Sequence, residues 1–143
     1  MEILADWNML LTIQGKQQSL FIYQLDNLRA HINSTFQNKP NDLTGMRLPG
    51  CKNSRYFAAN RDDPNRPFVI AACAKLYVMY TYSLLTKMLK KSGEFELSNE
   101  AWTPTSPTYI TFIGSHVIVS HGSTFYLWYP ASGRIEGNLR KSE

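Results

Sequence analysis

The stretch Pro67-Phe68-Val69-Ile70-Ala71-Ala72-Cys73-Ala74-Lys75-Leu76-Tyr77-Val78-Met79-Tyr80-Thr81-Tyr82-Ser83-Leu84-Leu85-Thr86-Lys87-Met88 decides the fold. With a helical period, Ile70, Cys73, Ala74, Tyr77, Thr81, Leu84, Leu85 and Met88 form one stripe. Val69, Ala72, Leu76, Met79 and Tyr80 add a second apolar face, leaving Lys75, Tyr82, Thr86 and Lys90 as a narrow polar strip. A helix apolar nearly all round is a buried one. Pro67 suits the first helical position, Lys87, Lys90 and Lys91 suit the negative end of the helix dipole, and Gly93 is a C-terminal stop. The stretch therefore reads as a buried central helix.

Outward toward the C-terminus the period changes to two. Phe95 and Leu97 flank a short strand, and Tyr109–Ile113, Val117–Ser120 and Phe125–Tyr129 follow as apolar runs. Gly114-Ser115 and His121-Gly122 separate those runs and supply the positive φ of tight hairpins. This predicts a three-stranded antiparallel meander, closed by Pro130 and Gly133, with residues 134–143 as a flexible tail.

Outward toward the N-terminus, Phe21, Leu25, Leu28, Ile32 and Phe36 repeat at helical spacing. Ser19 is a candidate N-cap and Lys39-Pro40 a stop, so a helix is expected over about 19–37. Met9–Ile13 fits a short helix or a strand equally. Residues 38–67 hold four of the seven prolines and keep no period, which reads as a long irregular loop. The expected fold class is α+β: N-terminal helix, long loop, buried central helix, then a C-terminal three- to four-stranded antiparallel meander, in a single domain of 143 residues.

Composition narrows the function classes. The chain is 43% apolar without a repeat, which excludes a disordered chain, collagen, a coiled coil and a solenoid. No apolar run reaches the roughly 18 residues of a membrane span. Cys51 and Cys73 are too few for a four-ligand zinc site and read as two free thiols, a 51–73 disulfide being the alternative. With an acidic N-terminus lacking the basic region of a signal peptide, they point to a reducing, cytoplasmic setting.

The 15 Lys+Arg against 11 Asp+Glu give +4, and the excess is local. Residues 39–91 carry ten Lys or Arg against three Asp, so the rest of the chain is net acidic. Lys52, Arg55, Tyr56, Phe57, Arg61 and Arg66 interleave cations with aromatics, and Lys87, Lys90 and Lys91 extend the set. That mix suits phosphate contact with base stacking, or an acidic protein surface.

These features lead to a small intracellular non-enzymatic binding or inhibitor-type protein, of the kind found among phage and mobile-element accessory proteins. It would hold an anionic ligand (nucleotide or nucleic acid) or an acidic partner on the basic segment, with no cofactor or metal. The aromatic strand Phe125–Tyr129 suggests a homo-oligomer contact. The alternative is a metal-independent ribonuclease using His116 and His121 with Arg134 and Tyr129, an element order similar to small toxin ribonucleases.

Overall fold

The computed structural model describes residues 1–36, 45–63, 67–97, 102–130 and 134–140. Three four-stranded antiparallel sheets follow one another along the chain. The first holds β1 (Glu2–Leu4), β2 (Met9–Gln14), β3 (Ser19–Gln24) and β4 (Met46–Arg47), with α1 (Leu25–Phe36) between its last two strands. The middle sheet holds β5 (Ser54–Asn60), β6 (Phe68–Cys73), β7 (Leu76–Tyr82) and β8 (Leu89–Glu96). The last holds β9 (Thr108–Ile113), β10 (His116–His121), β11 (Thr124–Tyr129) and β12 (Arg134–Arg140). In each sheet the strands lie in chain order.

This overturns the α+β expectation. Among the described residues there is one α-helix, and the predicted central helix is the hairpin β6–β7 followed by β8. All six residues of β6 are buried. Val69, Ala71 and Cys73 belong to the seam between the first and middle sheets, whereas Phe68, Ile70 and Ala72 belong to the seam between the middle and last sheets. A strand covered on both faces has no polar alternation, so its sequence is a continuous apolar run. The β6–β7 turn is equally well hidden, because Ala74 takes the left-handed conformation at φ 57° without a glycine or asparagine to mark it.

The predicted N-terminal helix starts later than expected. Residues 19–24 form β3, placing Leu20 and Ile22 in the first seam, and α1 keeps only the later part of the stripe. Met9–Ile13 resolves as a strand. The predicted 38–67 loop contains β4 and β5, while residues 37–44 and 64–66 lie outside the described residues. Its Leu48–Ser54 stretch is tied to β3 and the turn before it: the N–H groups of Leu48, Asn53 and Ser54 donate to the carbonyls of Leu20, Gln17 and Gln18 at 2.7–2.8 Å.

Cys51 and Cys73 form a disulfide, Cα–Cα 5.4 Å, which corrects the free-thiol reading and removes the cysteine argument for a reducing compartment. The C-terminal meander stands where it was expected, with Gly114 and Gly122 at φ 57° and 62° in its hairpins. It packs on the middle sheet rather than on a helix, and the expected tail supplies its fourth strand, β12.

The two seams hold the sheets face to face. The first contains Leu4, Met9, Leu11, Leu20, Val78 and Tyr80, with Trp7 stacked on Tyr82 at 4.8 Å. The second is aromatic: Tyr77 stacks on Phe95 at 5.0 Å, Phe95 meets Trp128 edge-on at 5.0 Å, and Phe68 meets Phe112 at 5.4 Å. The leading strands β5 and β9 are adjacent, joined by the Tyr56–Tyr109 ring contact and by Asn60 Nδ2 donating to the Gly114 carbonyl at 2.7 Å. Successive four-stranded meanders with neighbouring leading strands are the blade arrangement of β-propellers. Among the described residues no helix is long and apolar enough to cross a membrane.

Candidate interaction cleft

Strand direction gives the stack two ends. One carries the Ala5–Asn8 turn, the ends of β3 and β5, and the β7–β8 hairpin; the other carries the β2–β3 turn, the disulfide and the β6–β7 turn. At the first end lies a cleft of about 450 Å³ lined by Trp7, Met9, Ile22, Met46, Lys87 and Met88, with Asn8, Gln24, Asp26 and Asn27 as polar neighbours. Trp7 is fixed by its stack on Tyr82. Asp26 is held by Arg29 Nη1 at 2.9 Å and by Asn8 Nδ2 at 3.0 Å. Met46 and Met88 stay 41% exposed at the opening, and the adjoining hairpin presents Leu84 and Leu85, the latter 96% exposed. A smaller depression of about 310 Å³ on the other side of Trp7 is lined by Asp6, Arg61, Tyr82, Leu84 and Lys87.

Of the predicted cations, Lys87 borders both depressions. Arg61 lines the smaller one, where it pairs with Asp6 at 2.6 Å. The others are dispersed. Arg55, Tyr56 and Phe57 lie on β5, and Lys90 and Lys91 on β8, with two strands and about 14 Å between them. Lys91 pairs with Glu94 at 2.6 Å. Lys52 lies at the other end, where with Arg47 and the disulfide it lines a depression of about 330 Å³. Arg66 is outside the described residues.

The four residues of the ribonuclease alternative do not converge on one point. His116 and His121 are five positions apart on β10, hence on opposite faces and about 16 Å apart. His121 is buried: Thr103 N–H donates to its Nε2 at 3.0 Å, and its Nδ1 lies 2.8 Å from Thr108 Oγ1. An accepting Nε2 places the proton on Nδ1. Burial and the nearby Arg55 guanidinium hold the imidazole pKa below its ordinary value. His116 is exposed on the outward face against the Tyr129 ring at 4.7 Å, and Arg134 is the register partner of Tyr129. Among the described residues no three His, Cys, Asp or Glu side chains gather as a metal site.

Trp7, Met46, Leu84, Leu85 and Met88 were not candidates from sequence. Leu84, Leu85 and Met88 continued the helical stripe of the central stretch and so read as core. Only Ser83, whose carbonyl accepts from Lys87 N–H at 2.7 Å, marks the hairpin they build.

The family model for the CNH domain matches residues 1–140. No curated protein matches the chain. The match points to protein–protein interaction, and it replaces the inhibitor and phage-accessory expectations. Three successive four-stranded sheets with a family match over nearly the full length lead to one conclusion: this chain belongs to the CNH domain family.

Proposed function

We propose that this chain is a protein-recognition domain that seats an apolar anchor of its partner in the Trp7–Met88 cleft, with an acidic partner side chain beside it on Lys87. The carrying observation is the almost fully exposed Leu85 next to a tryptophan-floored cleft. Large apolar side chains are left in water at such density where another surface covers them. Tryptophan and methionine are enriched at interface cores, and the flexible thioethers of Met46 and Met88 adapt to the shape of an incoming side chain. The acidic-partner expectation narrows here to Lys87, which borders both depressions, while the rim carboxylates Asp26 and Asp6 are engaged by Arg29 and Arg61.

A photo-crosslinking amino acid at Leu85, in the native host, tests the reading. A discrete protein adduct that disappears in the Met88→Lys background supports it. No adduct at Leu85, or the same adduct from a crosslinker at Lys52 on the opposite end, overturns it.

A further inference from the structure

We propose that the segment 102–107, which leads into the last sheet, is a proton-operated clasp: the neutral imidazole of His121 holds it, and with it the Trp102 indole, against the second seam, and protonation at Nε2 releases it. The segment runs Trp102-Thr103-Pro104-Thr105-Ser106-Pro107, and its two prolines have no N–H to bind with. Its ties to the last sheet are at its two ends. Thr103 N–H donates to His121 Nε2 at 3.0 Å, and Gly122 N–H donates to the Pro107 carbonyl at 3.0 Å. The contact of Thr103 Oγ1 with Ser106 Oγ and the 3.4 Å bond from Ser106 N–H to the Thr103 carbonyl lie within the segment, so they fix its shape and not its place. Trp102, next to Thr103, packs half-buried on the second seam.

His121 is buried and shares the seam face of β10 with Val117 and Val119. Both of its nitrogens are in use, Nε2 accepting from Thr103 and Nδ1 donating to Thr108 Oγ1 at 2.8 Å, so an added proton has one place to go. At Nε2 it turns the acceptor into a second donor facing the Thr103 N–H. That bond is lost outright while the bond to Thr108 is kept, and a buried charge with an unmet N–H is relieved by letting water in. The surroundings favour the neutral ring. Its register partners are the uncharged Thr108 of β9 and Thr124 of β11, with the Tyr126 phenol two positions further along β11. From the middle sheet, Tyr77 of β7 lies beside Thr108 and the Arg55 guanidinium of β5 repels a charged imidazole. Lys75 and Glu96, at the same end of the stack, pair with each other at 3.0 Å. Burial and then Arg55 depress the ring's pKa, and a smaller attraction from the Thr103 backbone offsets them only in part. Because the closed segment favours the neutral ring, the clasp is at full strength above about pH 6.5 and weakens as pH falls from there toward the ring's depressed value. The proposal does not depend on the Trp7–Met88 cleft.

Amide exchange and imidazole titration followed by NMR on the whole chain, between about pH 7.5 and 4.5, test it, with each exchange rate taken relative to an unstructured peptide at the same pH. Protection of the Thr103 amide is expected to fall by up to about tenfold per pH unit below about pH 6.5, while the amides of β6 and β7 keep theirs. The Trp102 indole N–H resonance is expected to move over the same range. His121→Gln is expected to hold Thr103 protection flat, since a glutamine oxygen accepts the Thr103 N–H and takes up no proton. Arg55→Gln, at an exposed position, removes the repulsion and is expected to leave a smaller fall than the parent chain shows. Steady Thr103 protection in the parent chain overturns the proposal, as does a His121 ring that charges while Thr103 stays protected. A fall as steep in His121→Gln, or one shared by every amide, also overturns it. Should the glutamine variant not fold, Arg55→Gln decides: a fall no smaller than the parent's overturns the proposal.

Discussion

Val69 and Ile70 are consecutive on β6, both fully buried, and they serve different seams. Truncating each to alanine therefore probes each face of the middle sheet separately. Val69→Ala removes the equivalent of two methylenes, about 1.6 kcal/mol of transfer free energy before any cavity term. Ile70→Ala falls in the range of about 2–5 kcal/mol seen for large-to-small core changes. At about 2.1 cal/mol/K per residue the unfolding entropy of this chain is about 0.3 kcal/mol/K, so a 3 kcal/mol loss lowers Tm by about 10 °C. Thermal unfolding followed by circular dichroism should show Val69→Ala down by about 5–8 °C and Ile70→Ala by about 7–17 °C, while Leu85→Ala on the exposed hairpin moves by less than about 2 °C. A shift under about 2 °C for either β6 variant would mean that one face of the middle sheet is wet, and the stacked arrangement would be wrong.

Ala74→Gly relieves a left-handed conformation that costs an alanine about 1 kcal/mol, so Tm should rise by about 3 °C; a fall would show that the β6–β7 turn is not built as described. The Cys51–Cys73 bridge closes 22 residues and contributes about 3 kcal/mol, so paired serine substitutions should lower Tm by about 10 °C. Dithiothreitol should reproduce that loss in the parent chain and leave the serine variant unmoved. Tyr80 donates its hydroxyl to the Pro49 carbonyl at 2.6 Å, and burial, helped by the Glu94 carboxylate, pushes its pKa up to about 12. Because the folded state favours the neutral phenol, stability is full below pH 10 and falls by about 2–3 kcal/mol as pH rises to about 12. Tyr80→Phe should flatten that alkaline fall in a urea titration while losing about 1 kcal/mol at neutral pH.

The last sheet was legible for a physical reason. Val117 and Val119 face the second seam while His116 and Ile118 face outward, and glycines mark both hairpins, so alternation and turns both reached the sequence. The middle sheet hid both signals, because β6 is covered on two faces and alanine holds its turn. The two errors compound: with no break at Ala74, two strands merge into one run long enough to imitate a helix. The site suffered in turn, since a hairpin tip assigned to a helix becomes core. Lys87 was picked out by its charge, but the apolar side chains around it could not be separated from buried ones by pattern. The basic segment was a true feature of composition, yet strand order distributes its cations over both ends and both edges of the stack.

Sharing β6 between two seams has a consequence for how the molecule opens. In a linear array each member is stabilised only by its neighbours, so loss begins at the members with one neighbour. Here the middle sheet takes part in both seams, so it cannot part from one neighbour without its other face remaining occupied. Amide exchange should accordingly be slowest on β6 and β7, which supply residues to both seams. The segment whose sequence conceals its structure best is thus the last to let solvent in.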